Sequence, residues 1–310
     1  MPETIDGALY RRKAFLLGFM TKAEADGLFA MNPLRVPGGA TPAAVSQAAR
    51  AARTGLGGYV PGTADPIPAA LSALVDEIRS RNVYKKEYEA KADYEFRTVP
   101  IDSLLTPQTE ADLDYVDELA GSLTDSPDDN KDFAFAFPTA QIAEPITVGN
   151  TLTFTSNAPN IAVTPVPIVR RTQDGFDVVM EARARPNYVM VARVAGRMVL
   201  HNGVHKVLAL KKRSRARVFA LVYDVQNVAQ LQLPGAQSST FLDANYIQAA
   251  RPPLVIDLLG PTATPTFMRA TIFIYQLSVQ FGQAIAPAPA SEAAQSAETS
   301  KVGQEKKATN

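Results

Sequence analysis

Apolar positions in the first hundred residues recur mainly at helical spacing. Leu71, Leu74, Val75 and Ile78 fall at i, i+3, i+4 and i+7, which predicts a helix with one buried stripe. Upstream, Thr21 and Glu24 have the spacing of a capping box, so a short helix is expected over 22–31, ended by Asn32-Pro33. Pro42 opens an alanine-rich stretch, 43–53, that the cluster Gly55, Gly57, Gly58, Pro61 and Gly62 breaks. Tyr84, Tyr88 and Tyr94 continue a charged segment that reads as a helix flank.

From Phe96 the pattern changes. Residues 97–101 are short and extended, Thr106-Pro107 makes a turn, and Leu113, Val116, Leu119 and Leu123 predict a helix followed by a polar loop over 125–132. Segments 133–137, 146–155, 161–170 and 176–181 have strand-and-turn composition, with prolines 159, 165 and 167 pointing to edges or kinks. The clearest unit is 187–224, where a strand at 188–194, the turn Ala195-Gly196 and a strand at 197–201 predict a hairpin. Asn202-Gly203 then starts a helix over about 204–213, and 218–223 is apolar enough to be a central strand. Further strands are expected at 254–259 and 270–281. The tail from 284 has only Ile285 and Val302 as large aliphatics, too little apolar surface to offset its ordering entropy, and is expected to be disordered.

These elements predict an α+β protein: a helical N-terminal region (1–96), a mixed-sheet α/β core (97–226), a C-terminal mixed strand extension (227–283) and the tail (284–310). No internal repeat is evident. Composition narrows the chemistry: with no cysteine among 310 residues, thiol nucleophiles, thiolate metal sites and disulfides are excluded. His201 and His205 are the two histidines, so a metal site would need carboxylates, and no metal site is expected. The apolar runs 14–20 and 218–223 are far shorter than the roughly 20 residues of a membrane span. Arg11-Arg12-Lys13 before the first of them imitates a signal peptide, but Glu3 and Asp6 interrupt the charged region. An amphipathic element of a cytoplasmic protein is the expectation.

Charge alters the picture more than composition does. The 31 Lys+Arg and 31 Asp+Glu sum to zero, yet nine acids and one base lie between Glu110 and Asp132, and ten bases and no acid between Arg183 and Arg217. Within the basic half, His201-Asn202-Gly203-Val204-His205-Lys206 is a strand-to-helix turn. Its glycine and helix start favour an anion, with Arg197 as a further cation, although an ordinary tight turn accounts for the same letters.

The unit 196–224, with this turn and the strand Val218-Phe219-Ala220-Leu221-Val222, resembles the second box of the ParB/sulfiredoxin-like fold. Upstream, Thr98-Val99-Pro100-Ile101-Asp102-Ser103-Leu104-Leu105 looks like the opening strand, 113–123 like the following helix, and 166–170 with 175–179 like the next hairpin, so the likeness spans about 97–224. It implies that Gly203 is a close-approach glycine and that His205 and Lys206 contact phosphates of a nucleotide or nucleic acid. The pair is His-Lys where the family usually carries His-Arg or Arg-Arg, which exchanges a bidentate grip for a point charge. The cysteine that sulfiredoxin chemistry needs is missing.

Two classes of function follow. In the first, a non-catalytic protein binds a phosphorylated ligand through Arg197, Asn202, Gly203, His205 and Lys206, and nucleic acid through Lys211, Lys212, Arg213, Arg215 and Arg217. In the second, a structural or assembly protein self-associates, or docks a protein partner, through its segregated acidic and basic surfaces. The acids of 110–132 lack a calcium-loop pattern and are expected to be solvated or paired with the bases. No Walker loop, dinucleotide fingerprint or nucleophile elbow occurs, so the residues identify neither a catalytic group nor a cofactor. A kinase or nuclease of the same fold would need a metal-binding carboxylate beside Gly203.

Overall fold

Local capping starts the first two helices where the sequence signals lie. The computed structural model describes residues 3–5, 8–31, 34–89, 93–139, 146–148, 151–156, 161–163, 168–179, 182–184, 186–231, 244–269 and 273–278. After strands β1 (Glu3–Ile5) and β2 (Ala8–Phe15), the Glu24 carboxylate accepts from the Thr21 N–H at 2.7 Å and the Thr21 hydroxyl from the Glu24 N–H at 3.2 Å, starting α1 (Lys22–Met31). Thr41 caps α2 (Pro42–Thr54), whose first residue, a proline, lacks only an N–H that had no helical partner. There follow β3 (Asp65–Pro66), α3 (Ser72–Ser80), which buries Val75 and Ile78, α4 (Asn82–Tyr84) and β4 (Glu95–Pro100). β5 (Glu110–Asp112) leads into α5 (Leu113–Ser122), capped by Asp112, and Asp128 caps α6 (Asp129–Ala136).

Short strands come next: β6 (Ile146–Val148), β7 (Thr151–Ser156), β8 (Ile161–Val163), β9 (Ile168–Arg171), β10 (Phe176–Val179) and β11 (Ala182–Ala184). Then come β12 (Met190–Val194), β13 (Arg197–Asn202), α7 (Val204–Lys212), β14 (Arg217–Asp224), α8 (Ala244–Gln248), β15 (Thr264–Arg269) and β16 (Phe273–Ser278). Helices and mixed sheets together make the protein α+β.

The main sheet runs in the order β13-β12-β14-β4-β3. Ala195 and Gly196, at φ 49° and 73°, turn β12 back onto β13, as a two-residue hairpin with positive φ at both positions requires. α7 then carries the chain to β14, parallel to β12 and antiparallel to β4, with Val218, Ala220, Leu221 and Val222 almost wholly buried. In a second sheet β15 lines one edge of β2, while β1 and β5 share the other. Residues 13–14 of β2 thus lie between 111–112 on one side and 265–266 on the other, so segments from 1–96, 97–226 and 227–283 meet in one sheet. α5 packs against β2 and α7, and α6 against β14. β9 pairs with β10 and β8 with β11.

The chain divides into two compact units, Met1–Ala143 with Thr155–Phe273, and Glu144–Phe154 with Ile274–Asn310. The second holds a sheet in the order β16-β7-β6. The expected disordered tail lies outside the described residues.

Four sequence expectations change. Residues 133–137 are not a strand: Phe133, Ala136 and Phe137 are buried at i, i+3 and i+4 on α6 and its C-cap, and Phe133 stacks edge-on against Phe219 at 5.5 Å. The expected loop 125–132 yields to the same helix from Asp129, because Asp128 accepts from the N–H groups of Asn130 and Lys131. Residues 255–259 form a tight helical turn rather than a strand, held by the Asp257 carboxylate on the Leu254 N–H. The helical N-terminal region also opens on the strands β1 and β2.

The loop after β2 closes directly on α2. A Cβ at Gly18 would lie 2.6 Å from the Ala49 carbonyl oxygen. Gly18→Ala is therefore expected to lower the urea-unfolding free energy by about 2 kcal/mol or more while preserving far-UV circular dichroism. A change within about 0.5 kcal/mol, the range of an ordinary surface substitution, would contradict this contact.

Candidate functional site

β13 delivers the candidate turn to the start of α7. Gly203 sits at φ 99°, where a side chain is strained, and a Cβ would meet Val189 Cγ2 at 3.0 Å and Val189 Cα at 3.2 Å. Glycine is thus required, and the group that approaches it is the chain itself. Asn202 turns back, its side-chain amide donating to the Asn187 side-chain oxygen at 3.0 Å and the Tyr188 carbonyl at 2.9 Å. No side chain caps α7.

His205 accepts the Asp112 N–H on Nε2 at 3.0 Å, and its ring meets Tyr115 edge-on at 5.3 Å. Burial pushes its pKa down to about 4 against the opposing pull of Asp112, and Lys13, Glu110 and Arg11 also face it. Lys206, 6% exposed, donates to the Asn187 carbonyl, with its ammonium 5.9 Å from the centroid of Phe135. With burial as the cause, its pKa falls to about 7.

The remaining bases also end on this chain's own acceptors. Arg197 donates to the carbonyls of Ile247, Gln248 and Ala249 and lies 4.9 Å over the Tyr59 ring. Arg193 pairs with Asp224 at 2.8 Å, Lys211 with Asp102 at 2.6 Å and Arg217 with Asp65 at 2.6 Å. Lys212 pairs with Asp117, and Arg213 with Asp125 at 2.5 Å. Arg215 is buried, pairing with Asp132 at 2.8 Å and donating to the carbonyls of Thr124, Asp125 and Ser126. Arg183 and Arg185 fall outside the side chains described.

The acids are met from a second direction as well. Arg11 pairs with Asp112 at 2.9 Å and Glu118 at 2.8 Å, Arg12 with Asp114 at 2.8 Å and Asp117 at 2.6 Å, and Lys13 with Glu110 at 2.8 Å. Burial alone would raise the pKa of Asp114, but the backbone N–H and guanidinium of Arg12 outweigh it and leave the carboxyl below its ordinary range. Asp117 is lowered likewise, its own burial overcome by Lys212 and Arg12.

Of the ten predicted residues, Asn202, Gly203, His205 and Lys206 come together at one turn. Arg197 lies at the opposite end of β13 against α8, and 211–217 runs from the last turn of α7 to the start of β14. Sequence reasoning missed Arg11, Arg12 and Lys13 as partners of the acids and Asp132 as the partner of Arg215. One signal was available: the acids Glu110 and Asp112 stand two residues apart, the period of a strand facing another. A cleft of about 360 Å³ between α3 and α6 has Leu74, Ile78, Phe133 and Phe137 on its walls, and no predicted site residue lines it. Among the described residues no group of three or more His, Asp or Glu is arranged to hold a metal, and no helix is long and apolar enough to cross a membrane.

No protein-family model matches the chain, and neither a curated protein nor a solved structure matches it.

The two shifted groups make stability depend on pH with definite signs. Between about pH 4 and 6.5 the unfolded chain protonates His205 and the folded one does not, so acidification through that window destabilises the fold, by about 3 kcal/mol at most. Between about pH 7 and 10.5 the unfolded chain alone keeps Lys206 protonated, so stability rises with pH across that range. In urea-unfolding series His205→Gln is expected to flatten the acidic limb, and Lys206→Met to flatten the alkaline limb and raise stability at pH 7. Curves parallel to the parent's would contradict both assignments.

Proposed function

We propose that the protein is a non-catalytic structural or partner-docking protein, and that its turn at 201–206 is an architectural relative of the ParB/sulfiredoxin-like phosphate turn. One observation carries this reading. All eight bases of 193–217 whose side chains are described are engaged by acceptors of the same chain, which leaves no row of open cations to follow a phosphate backbone. What supports the family likeness is that β4, α5, the β12–β13 hairpin, α7 and β14 occur in that order, although α6 and β6–β11 intervene between α5 and β12 and the expected hairpin of 166–170 with 175–179 forms a two-stranded sheet of its own, β9–β10. The acidic and basic surfaces neutralise each other within one chain, so docking proceeds through other surfaces than these.

A second reading, a small phosphorylated ligand at the start of α7, is favoured by the absence of a side-chain cap there. It requires Lys206 and Asn202 to leave Asn187.

Fluorescence anisotropy with duplex and single-stranded DNA, from low to physiological salt, tests the first reading. The parent and a Lys211→Ala/Lys212→Ala variant are expected to show the same weak titration. Tight, salt-dependent binding lost in that variant would restore the nucleic-acid interface. Calorimetric titration with a nucleoside triphosphate decides the second reading, since a saturable heat abolished by Lys206→Met would favour it.

A further inference from the structure

α2 and the loops beside it carry three arginines, of which Arg251 alone is paired with a carboxylate among the described residues. Residues 42–64 contain Arg50 and Arg53 and no Asp or Glu, and residues 244–256 contain Arg251 and no acid. Arg50 and Arg53 stand three residues apart on α2, so their side chains are neighbours. The loop after β2 is pressed onto the same helix. The Gly18 N–H bonds the Thr262 carbonyl at 3.0 Å, and Ala49, adjacent to Arg50, blocks the Cβ position of Gly18. Phe19 is thereby fixed beside α2, with Arg53 Cζ 4.8 Å and Arg251 Cζ 5.8 Å from its ring centroid.

These guanidiniums are not satisfied in the way those of 193–217 are. Arg251 pairs with Asp257 at 2.6 Å, and the other Asp257 oxygen is held by the Leu254 N–H at 2.7 Å. Arg53 has the Phe19 ring and no carboxylate among the described residues. Arg50 makes no hydrogen bond or ion pair with a described residue, although its Nη1 is buried. A buried guanidinium nitrogen without an acceptor is costly, and like charges held close add to that cost. The three guanidiniums and the one carboxylate paired with them sum to +2.

We propose that Arg50 and Arg53, with Arg251 beside them across Phe19, form a binding site for a phosphate dianion, the phosphate monoester group of a ligand. Charge selects the class: a phosphate monoester carries about −1.5 to −2 at neutral pH and matches the excess, whereas one carboxylate cancels half of it. Geometry agrees, because guanidinium forks take phosphate oxygens in pairs and stack on aromatic faces. The same group can be offered by a free phosphorylated small molecule or by a phosphorylated side chain of a partner. The site shares no residue with the turn at 201–206.

Inorganic phosphate, added to the full chain at pH 7.5 with ionic strength held constant by sodium chloride, is the probe. A saturable rise in the thermal midpoint and a saturable heat by calorimetry are expected, weakened at least tenfold in Arg50→Gln/Arg53→Gln and unchanged in Lys206→Met. If the double variant loses its native circular dichroism, Arg50→Lys and Arg53→Lys, which keep the charge without the fork, are measured instead and are expected to bind several-fold more weakly. A sugar phosphate or a phosphoserine peptide that binds more tightly than inorganic phosphate then tells the two sources apart, and either supports the site. A rise matched by chloride alone, one that persists in the arginine variants, or one lost in Lys206→Met overturns the proposal.

Discussion

α5 carries acids toward two neighbours, and its place in the fold depends on their being neutralised from both. β2 supplies Arg11 and Arg12 on one side, and the end of α7 supplies Lys212 on the other, so that Asp117 is held by Arg12 and Lys212 together. The helix can therefore pack between a strand from the N-terminus and a helix from the core without leaving a buried carboxylate unpaired. Asp114 is the critical member. It is 2% exposed, and a carboxylate buried to that degree without the Arg12 N–H and guanidinium would be strongly destabilising.

The pairs are unequal. Exposed ones such as Lys22–Asp26 contribute roughly 0–1 kcal/mol each. Arg215–Asp132 is nearly closed to solvent, and the remaining donors of Arg215 end on carbonyls of 124–126, so it ties the segment before α6 to the segment before β14. Removing one partner of such a pair typically costs about 3–5 kcal/mol, because the other charge is left buried. The same holds at the turn at 201–206: His205 is an acceptor for β5, a role that needs a neutral imidazole, and Lys206 is a donor to Asn187 rather than an open cation.

Much of the fold was legible because local rules decide it. The Thr21/Glu24 box, Pro42, the α3 stripe, the 195–196 turn and the Gly203 break mark their elements to within a few residues. The errors lie where tertiary contacts overrule composition. Phe133 and Phe137 read as strand residues, yet their spacing of four serves a helix face packed on Phe96 and Phe219. The site was legible only as letters. That Gly203 faces Val189 and that 211–213 meets the acids of 102–125 are facts of long-range pairing, and no periodicity within 201–217 carries them.

The central claim is that acidic and basic segments neutralise each other inside one chain, and carboxyl titration reads it directly. Site-resolved carbon NMR of Asp114 and Asp117 is expected to give both carboxyls pKa values below the ordinary aspartate value of about 3.9, with that of Asp117 rising toward it in Lys212→Met. Ordinary values for both in the parent, unmoved by that substitution, would contradict the account and return the bases to an external partner.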